Sequence, residues 1–249
     1  MLVLFTIEPL VFDHGLRSNN MEAPLLLAYC VGVYHFSRWV ECATLTRRRM
    51  HALIVAACFV LAFMTKFVAA VFLPLVGVAA LAARSDGWAR LRSNWRDWLA
   101  PAFLVVAATV PWFVYQTATS GSAVWKEMLG VHVVQRFTVT IDPRHIQPWH
   151  YYFSQSWSAL ELAGSRWIGA LGILALAADG WIRGRWLSRL LFLWWALPLV
   201  AISMGTSKLF HYAYPFLPPI AIGAGAVAAK IFAFLEARIA LPLRRVPEV

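Results

Sequence analysis

Four separated segments of the chain combine cations, imidazoles, hydroxyls and aromatic rings in a way that suits a phosphate-bearing ligand. The first runs from His14 and Arg17 through Asn19-Asn20 to Glu22 and Pro24, and the second is Thr65-Lys66. The third contains His132-Val-Val-Gln-Arg136-Phe137, then His145-Ile-Gln-Pro148 and His150-Tyr151-Tyr152. The fourth is Ser207-Lys208-Leu-Phe-His211-Tyr212-Ala-Tyr-Pro215. Arginine and lysine hold phosphate oxygens by charge-assisted hydrogen bonds. Beside aromatic rings at a bilayer edge, they fit a ligand with an anionic head and an apolar tail. A polyprenyl phosphate has that shape.

Each segment also has a plainer reading. Glu22 could be a helix-start acid favoured by the macrodipole, and Lys66 a turn lysine that snorkels to the interface. The histidines could be ordinary surface residues. Two or three of them could ligate a divalent metal, but their spacing matches no firm ligand pattern, so no cofactor is assigned. Pro215, Pro218 and Pro219 could serve only to start or kink a helix.

The elements that must position these residues are membrane spans. Of 249 residues 61% are hydrophobic and 14% charged, with a mean hydropathy of +0.64, more apolar than a soluble domain of this length can hide. Apolar stretches at about 21–40, 99–115, 167–182, 190–204 and 215–235 read as spans. The apolar region 51–83 is too long for one ordinary helix and is broken by Thr65-Lys66, which predicts a hairpin of two short spans with Lys66 at the outer turn. The opening apolar run to Phe12 is too short to cross hydrocarbon, and an N-terminal portion is expected to precede it. The chain therefore reads as an all-α polytopic membrane protein of about seven or eight transmembrane segments. Residues 116–166 form an extracytoplasmic loop with short interfacial helices inside one partial transmembrane domain, 1–249.

The net charge of +10 suggests membrane orientation, and no nucleic-acid module is present. Fifteen of the 22 basic residues are Arg38, those of loops 41–50, 84–98 and 183–189, and Lys230, Arg238, Arg244 and Arg245 toward the tail, which places those loops and the tail in the cytoplasm. The seven assigned outside are Arg17, Lys66, Lys126, Arg136, Arg144, Arg166 and Lys208. All four candidate segments then share the extracytoplasmic face. Cys30, Cys42 and Cys58 lack metal or redox spacing and read as buried, inert thiols.

In type and order the four segments resemble the GT-C polyprenyl-phosphate-sugar glycosyltransferases of glycosyltransferase family 39, the protein O-mannosyltransferases and the lipid A aminoarabinose transferase. Arg17 through Glu22-Ala-Pro24 is similar to that group's acid-bearing helix start, and Met64-Thr-Lys66 to its Thr-Lys-Gly turn. His132 to Phe137, with His145, Pro148, Tyr151 and Tyr152, resembles its outer-loop signature. Ser207-Lys208, His211-Tyr212 and Pro215 resemble its late lysine-to-proline motif. Two departures stand out: Phe67 replaces a glycine, and the first outer loop with the principal catalytic acid is absent.

The resemblance implies a multi-pass enzyme of the bacterial inner membrane with its active face extracytoplasmic. It would move a sugar from a polyprenyl-phosphate carrier, with inversion, to a lipid, glycan or protein acceptor, using a carboxylate as general base. On this resemblance Glu22 is the secondary catalytic acid, and Lys66, Arg136 and Lys208 hold the leaving phosphate, supported by Arg17, His132, His145, Tyr151, Tyr152, His211 and Tyr212. The implied partners are the polyprenyl-phosphate-linked sugar and membrane lipid. Without the missing acid, these 249 residues are expected to be inactive alone. The alternatives are a transporter or flippase-like protein, which would require alternating access, and a noncatalytic fragment that only binds the carrier.

Overall fold

The computed structural model describes residues 2–5, 7–13, 20–135, 138, 143–161 and 164–243. Among these there is no strand, only an isolated antiparallel bridge between Ile146 and Ser207.

Helix α1 (Glu22–Glu41) puts Leu25, Tyr29, Val33, Phe36 and Val40 on one buried stripe at three- and four-residue spacing, the signature of a helix facing a core. Helix α2 (Leu45–Ala70) runs back along it: the imidazoles of His35 and His51 meet at 2.8 Å near one end, and Gly32 faces Cys58 further along. Helix α2 is not continuous, because Lys66 has φ −155° and ψ 84°, outside the helical region. Just before the break, the Thr65 hydroxyl donates to the Leu61 carbonyl at 2.6 Å, a back-bond that tends to bend helices.

The chain turns at Val71 into α3 (Phe72–Ala82), whose Leu73 reaches Gly32 and whose Gly77 lies under the Phe36 ring. It therefore runs parallel to α1 and antiparallel to α2, so a hairpin forms, but it turns at Val71 and not at Thr65-Lys66. Its first arm is long enough to cross a membrane instead of being a short span, and Lys66 is a kink just before the tip. Helix α4 (Leu99–Ser120) leans on α2 through Phe63 and Phe113, with ring centroids 5.9 Å apart.

Short helical pieces follow at Ala123–Trp125, Lys126–Gln135 and Pro143–His145, then α5 (Tyr151–Glu161). Helices α6 (Arg166–Trp181), α7 (Trp186–Ser203) and α8 (Pro218–Leu243) complete the bundle. A β-carbon on Gly172 of α6 would fall 2.3 Å from the Ala224 nitrogen of α8, so only glycine permits this approach. Small residues that let helix backbones touch are the usual packing device in lipid.

Among the described residues, four stretches are long and apolar enough to cross a membrane: Leu45–Ala70, Trp95–Ser120, Trp186–Ser203 and Pro218–Arg238. Helix α3 is a shorter apolar element. The protein is an all-α, multi-pass membrane protein, as its composition requires. Of its three thiols Cys58 is buried, and Cys30 and Cys42 are half-buried.

The ends of the bundle differ in chemistry. At one end Asp97, 2% exposed, pairs with Arg48 and with Arg49 at 3.5 Å, while Trp39 Nε1 donates to it at 3.4 Å. Nearby, the Arg84 guanidinium lies over the Trp186 ring, and Arg189 donates to the carbonyls of Gly180 and Ala83. Asp179 gathers Arg183, Arg185 and Lys230. The basic loops 41–50, 84–98 and 183–189 thus cluster together, and Glu22, Lys66 and Lys208 lie at the opposite end.

Candidate functional site

The first turn of α1, the break in α2 and the short 3-10 helix Phe210–Phe216 converge at that opposite end. The break matters most. In an unbroken helix the Lys66 side chain would lie along the helix wall, but here the backbone departs at that residue and presents its ammonium to α1. Lys66 Nζ donates to Glu22 Oε1 at 3.0 Å and lies 4.5 Å above the centre of the Tyr212 ring. His211 Nε2 is 3.8 Å from the same carboxylate oxygen. Carboxylate, ammonium, imidazole and phenol therefore form one cluster from three chain segments.

Glu22 is buried, with its side chain 4% exposed, and Oε2 accepts no hydrogen bond from the described residues. Burying a carboxylate costs several kcal/mol unless it is paired, and Lys66 supplies that partner.

Lys66, His211 and Tyr212 of this cluster line the polar edge of a cavity of about 560 Å³, and Glu22 is held to it through Lys66. Its remaining wall is largely apolar: Met21, Leu25, Phe63, Phe72, Trp112, Phe113 and Phe216, with Tyr152 at its base. Tyr152 is fully buried, and burial drives its hydroxyl above the ordinary phenol range. Tyr151 beside it is shifted the same way for the same reason.

Lys208 is placed differently. Its backbone N–H donates to the His145 carbonyl at 2.9 Å and its ammonium to the Gln147 carbonyl at 2.8 Å, fastening the loop around Pro143–His145 to the segment before Phe210. Burial holds this ammonium below the usual lysine range, and no described carboxylate pairs with it. Ser207, its neighbour, lines the cavity.

Of the sequence-derived candidates, Glu22, Lys66, Tyr152, His211 and Tyr212 are brought together, with Lys208, His145 and Tyr151 beside them. Arg17 and Arg136 lie outside the described residues, as does the side chain of His132. Sequence reasoning missed the apolar wall, because Phe63, Trp112 and Phe113 look like any other lipid-facing residue. No group of three or more metal-ligating side chains occurs among the described residues.

No family model matches the chain, and no solved structure matches it. It is 26% identical over 220 residues to the undecaprenyl phosphate-alpha-4-amino-4-deoxy-L-arabinose arabinosyl transferase of Pectobacterium carotovorum, covering 84% of this chain and 36% of that protein. It is 26% identical over 243 residues to a transferase of the same name from Sodalis glossinidius, covering 89% of this chain and 41% of that one. A Proteus mirabilis transferase of that name is 28% identical over 218 residues, covering 86% and 37%.

The chain is a relative of these arabinosyl transferases. The resemblance read from the four motifs is thereby borne out on its aminoarabinose side. The chain spans well under half the length of these relatives.

Proposed function

We propose that the protein transfers a sugar from a polyprenyl-phosphate carrier to a lipid, glycan or protein acceptor at the extracytoplasmic face of the bacterial inner membrane. The observation that carries this reading is the polar edge that Lys66 and His211, with Glu22 paired to Lys66, give to a cavity otherwise built for an apolar chain. The names of the relatives favour undecaprenyl phosphate as the carrier and 4-amino-4-deoxy-arabinose as the sugar.

In this reading the isoprenoid lies against the apolar wall and its phosphate meets Lys66, with Arg136 and Lys208 as further cations. An acceptor oxygen attacks the anomeric carbon, the bond to phosphate breaks, and the phosphate leaves carrying the electron pair. Cations fixed where negative charge grows stabilise that departure more than they stabilise the ground state. Glu22 orients the acceptor or the sugar from the opposite side of Lys66. On the basic face, Asp97 pairs with Arg48 and Arg49, and Asp179 with Arg183, Arg185 and Lys230.

The test is transfer of radiolabelled aminoarabinose from undecaprenyl phosphate to membrane lipid by the full-length protein in proteoliposomes. Product should form with the parent and fall at least about a hundredfold with Lys66→Ala, the scale of losing one preorganised charge contact. Equal turnover by both proteins would sink the assignment.

A further inference from the structure

We infer that Tyr29 is a positioning residue for Lys66, acting from behind the cavity wall; the inference rests on the carrier-phosphate reading of Lys66 above. Tyr29 is wholly buried in α1 and does not line the cavity. Its hydroxyl donates to the Ala69 carbonyl, in the short stretch between the break at Lys66 and the turn at Val71. That stretch is bounded by the break at Lys66 and the turn at Val71, whose N–H also donates to the Ala69 carbonyl, so the phenol ties down a backbone that helical continuity holds on neither side.

The ring of Tyr29 is itself held. It stacks on Trp194 at 6.4 Å and 12° and meets Phe216 edge-on at 5.3 Å. Trp194 Nε1 donates to the Pro215 carbonyl at 2.9 Å, and Phe216 touches Phe72, the first residue after the turn, at 5.6 Å. Two segments far apart in sequence, one bearing Lys66 and the other His211 and Tyr212, are thus referenced to a single phenol. The 4.5 Å placement of the Lys66 ammonium over Tyr212 depends on both segments keeping that register. A phenol inside a membrane helix needs a hydrogen-bond partner, and here the partner chosen is the backbone that carries the site lysine.

The experiment is a double-mutant cycle on undecaprenyl phosphate binding by the full chain in nanodiscs, read by native mass spectrometry, with parent, Y29F, K66Q and Y29F/K66Q. Y29F keeps the ring and removes one hydrogen bond, and should weaken binding about fivefold. In the K66Q background the same change should have no further effect, because its route runs through Lys66. If Y29F binds like the parent, or its loss persists undiminished beside K66Q, Tyr29 only supports the fold and the inference is overturned. If K66Q itself binds like the parent, the carrier-phosphate reading fails and takes the inference with it. Should Y29F fail to insert, W194F runs the same cycle: it removes the donor to Pro215 while preserving an aromatic stack, and it is expected to couple to Lys66 in the same way.

Discussion

Lys66 Nζ donates to Glu22 Oε1 at 3.0 Å, joining the break in α2 to the first turn of α1. Glu22 is the more deeply buried partner, so removing the lysine should be worse than removing both. Lys66→Ala should cost about 3 kcal/mol, because it strands a buried carboxylate. The double variant Glu22→Ala/Lys66→Ala should recover part of that loss. Unfolding midpoints in detergent check the order, and a double variant less stable than Lys66→Ala would contradict it.

At the basic end, Asp97 should be the residue that matters. Asp97→Ala leaves Arg48 and the Trp39 indole without their acceptor and should cost about 3 kcal/mol. Arg49, 55% exposed and 3.5 Å from the same carboxylate, should be worth under about 1 kcal/mol when changed to alanine. Matching losses from the two variants would refute this ranking.

Gly172 and Gly225 should respond differently to the same change. A β-carbon at Gly172 meets the α8 backbone, whereas one at Gly225 meets nothing within 4 Å. Gly172→Val should therefore separate α6 from α8 and abolish a stable bundle, while Gly225→Val should behave like the parent. Expression and gel-filtration profiles in detergent distinguish them.

Much of this was legible in the sequence, and the reasons for the rest are physical. An interruption at Lys66 could be read because a threonine and a lysine break an apolar run, but it is a kink, and the turn itself comes at Val71, where no polar residue marks it. The pairing of Lys66 with Glu22 could not, since they are 44 residues apart and meet only because α1 and α2 are antiparallel. Lys208 was read as facing a ligand, and its ammonium is found donating to the Gln147 carbonyl. One of its three N–H donors thus fastens two loops, a task that composition does not reveal. Tyr29 gave no signal, because a tyrosine in an apolar helix reads as filler until its hydroxyl is located.

The clustering of the basic loops at one end makes a topology prediction. In a variant lacking Cys30, Cys42 and Cys58, a cysteine at Ser120 should react with an impermeant maleimide in spheroplasts. One at Ser93 should react only after permeabilisation. The reverse pattern would invert the orientation proposed for the site.

The proposed phosphate contacts of Lys66, Arg136 and Lys208 can be tested together. Replacing all three by alanine should weaken undecaprenyl phosphate binding by at least about a hundredfold, since charged hydrogen bonds contribute about 1.5–3 kcal/mol each. Native mass spectrometry in nanodiscs measures it, and undiminished binding would exclude these cations as the phosphate contacts.

Helix α3 has 11 residues and rises about 16 Å, roughly half of a ~30 Å hydrocarbon layer. Leu75 and Val78 nevertheless face outward, where lipid would lie against them. A helix too short for its bilayer is accommodated by drawing the lipid thin beside it. If the bilayer thins beside the hairpin that carries Lys66, the headgroup plane moves toward the cluster, and hydrophobic mismatch becomes part of how a phosphate on a lipid tail reaches that ammonium.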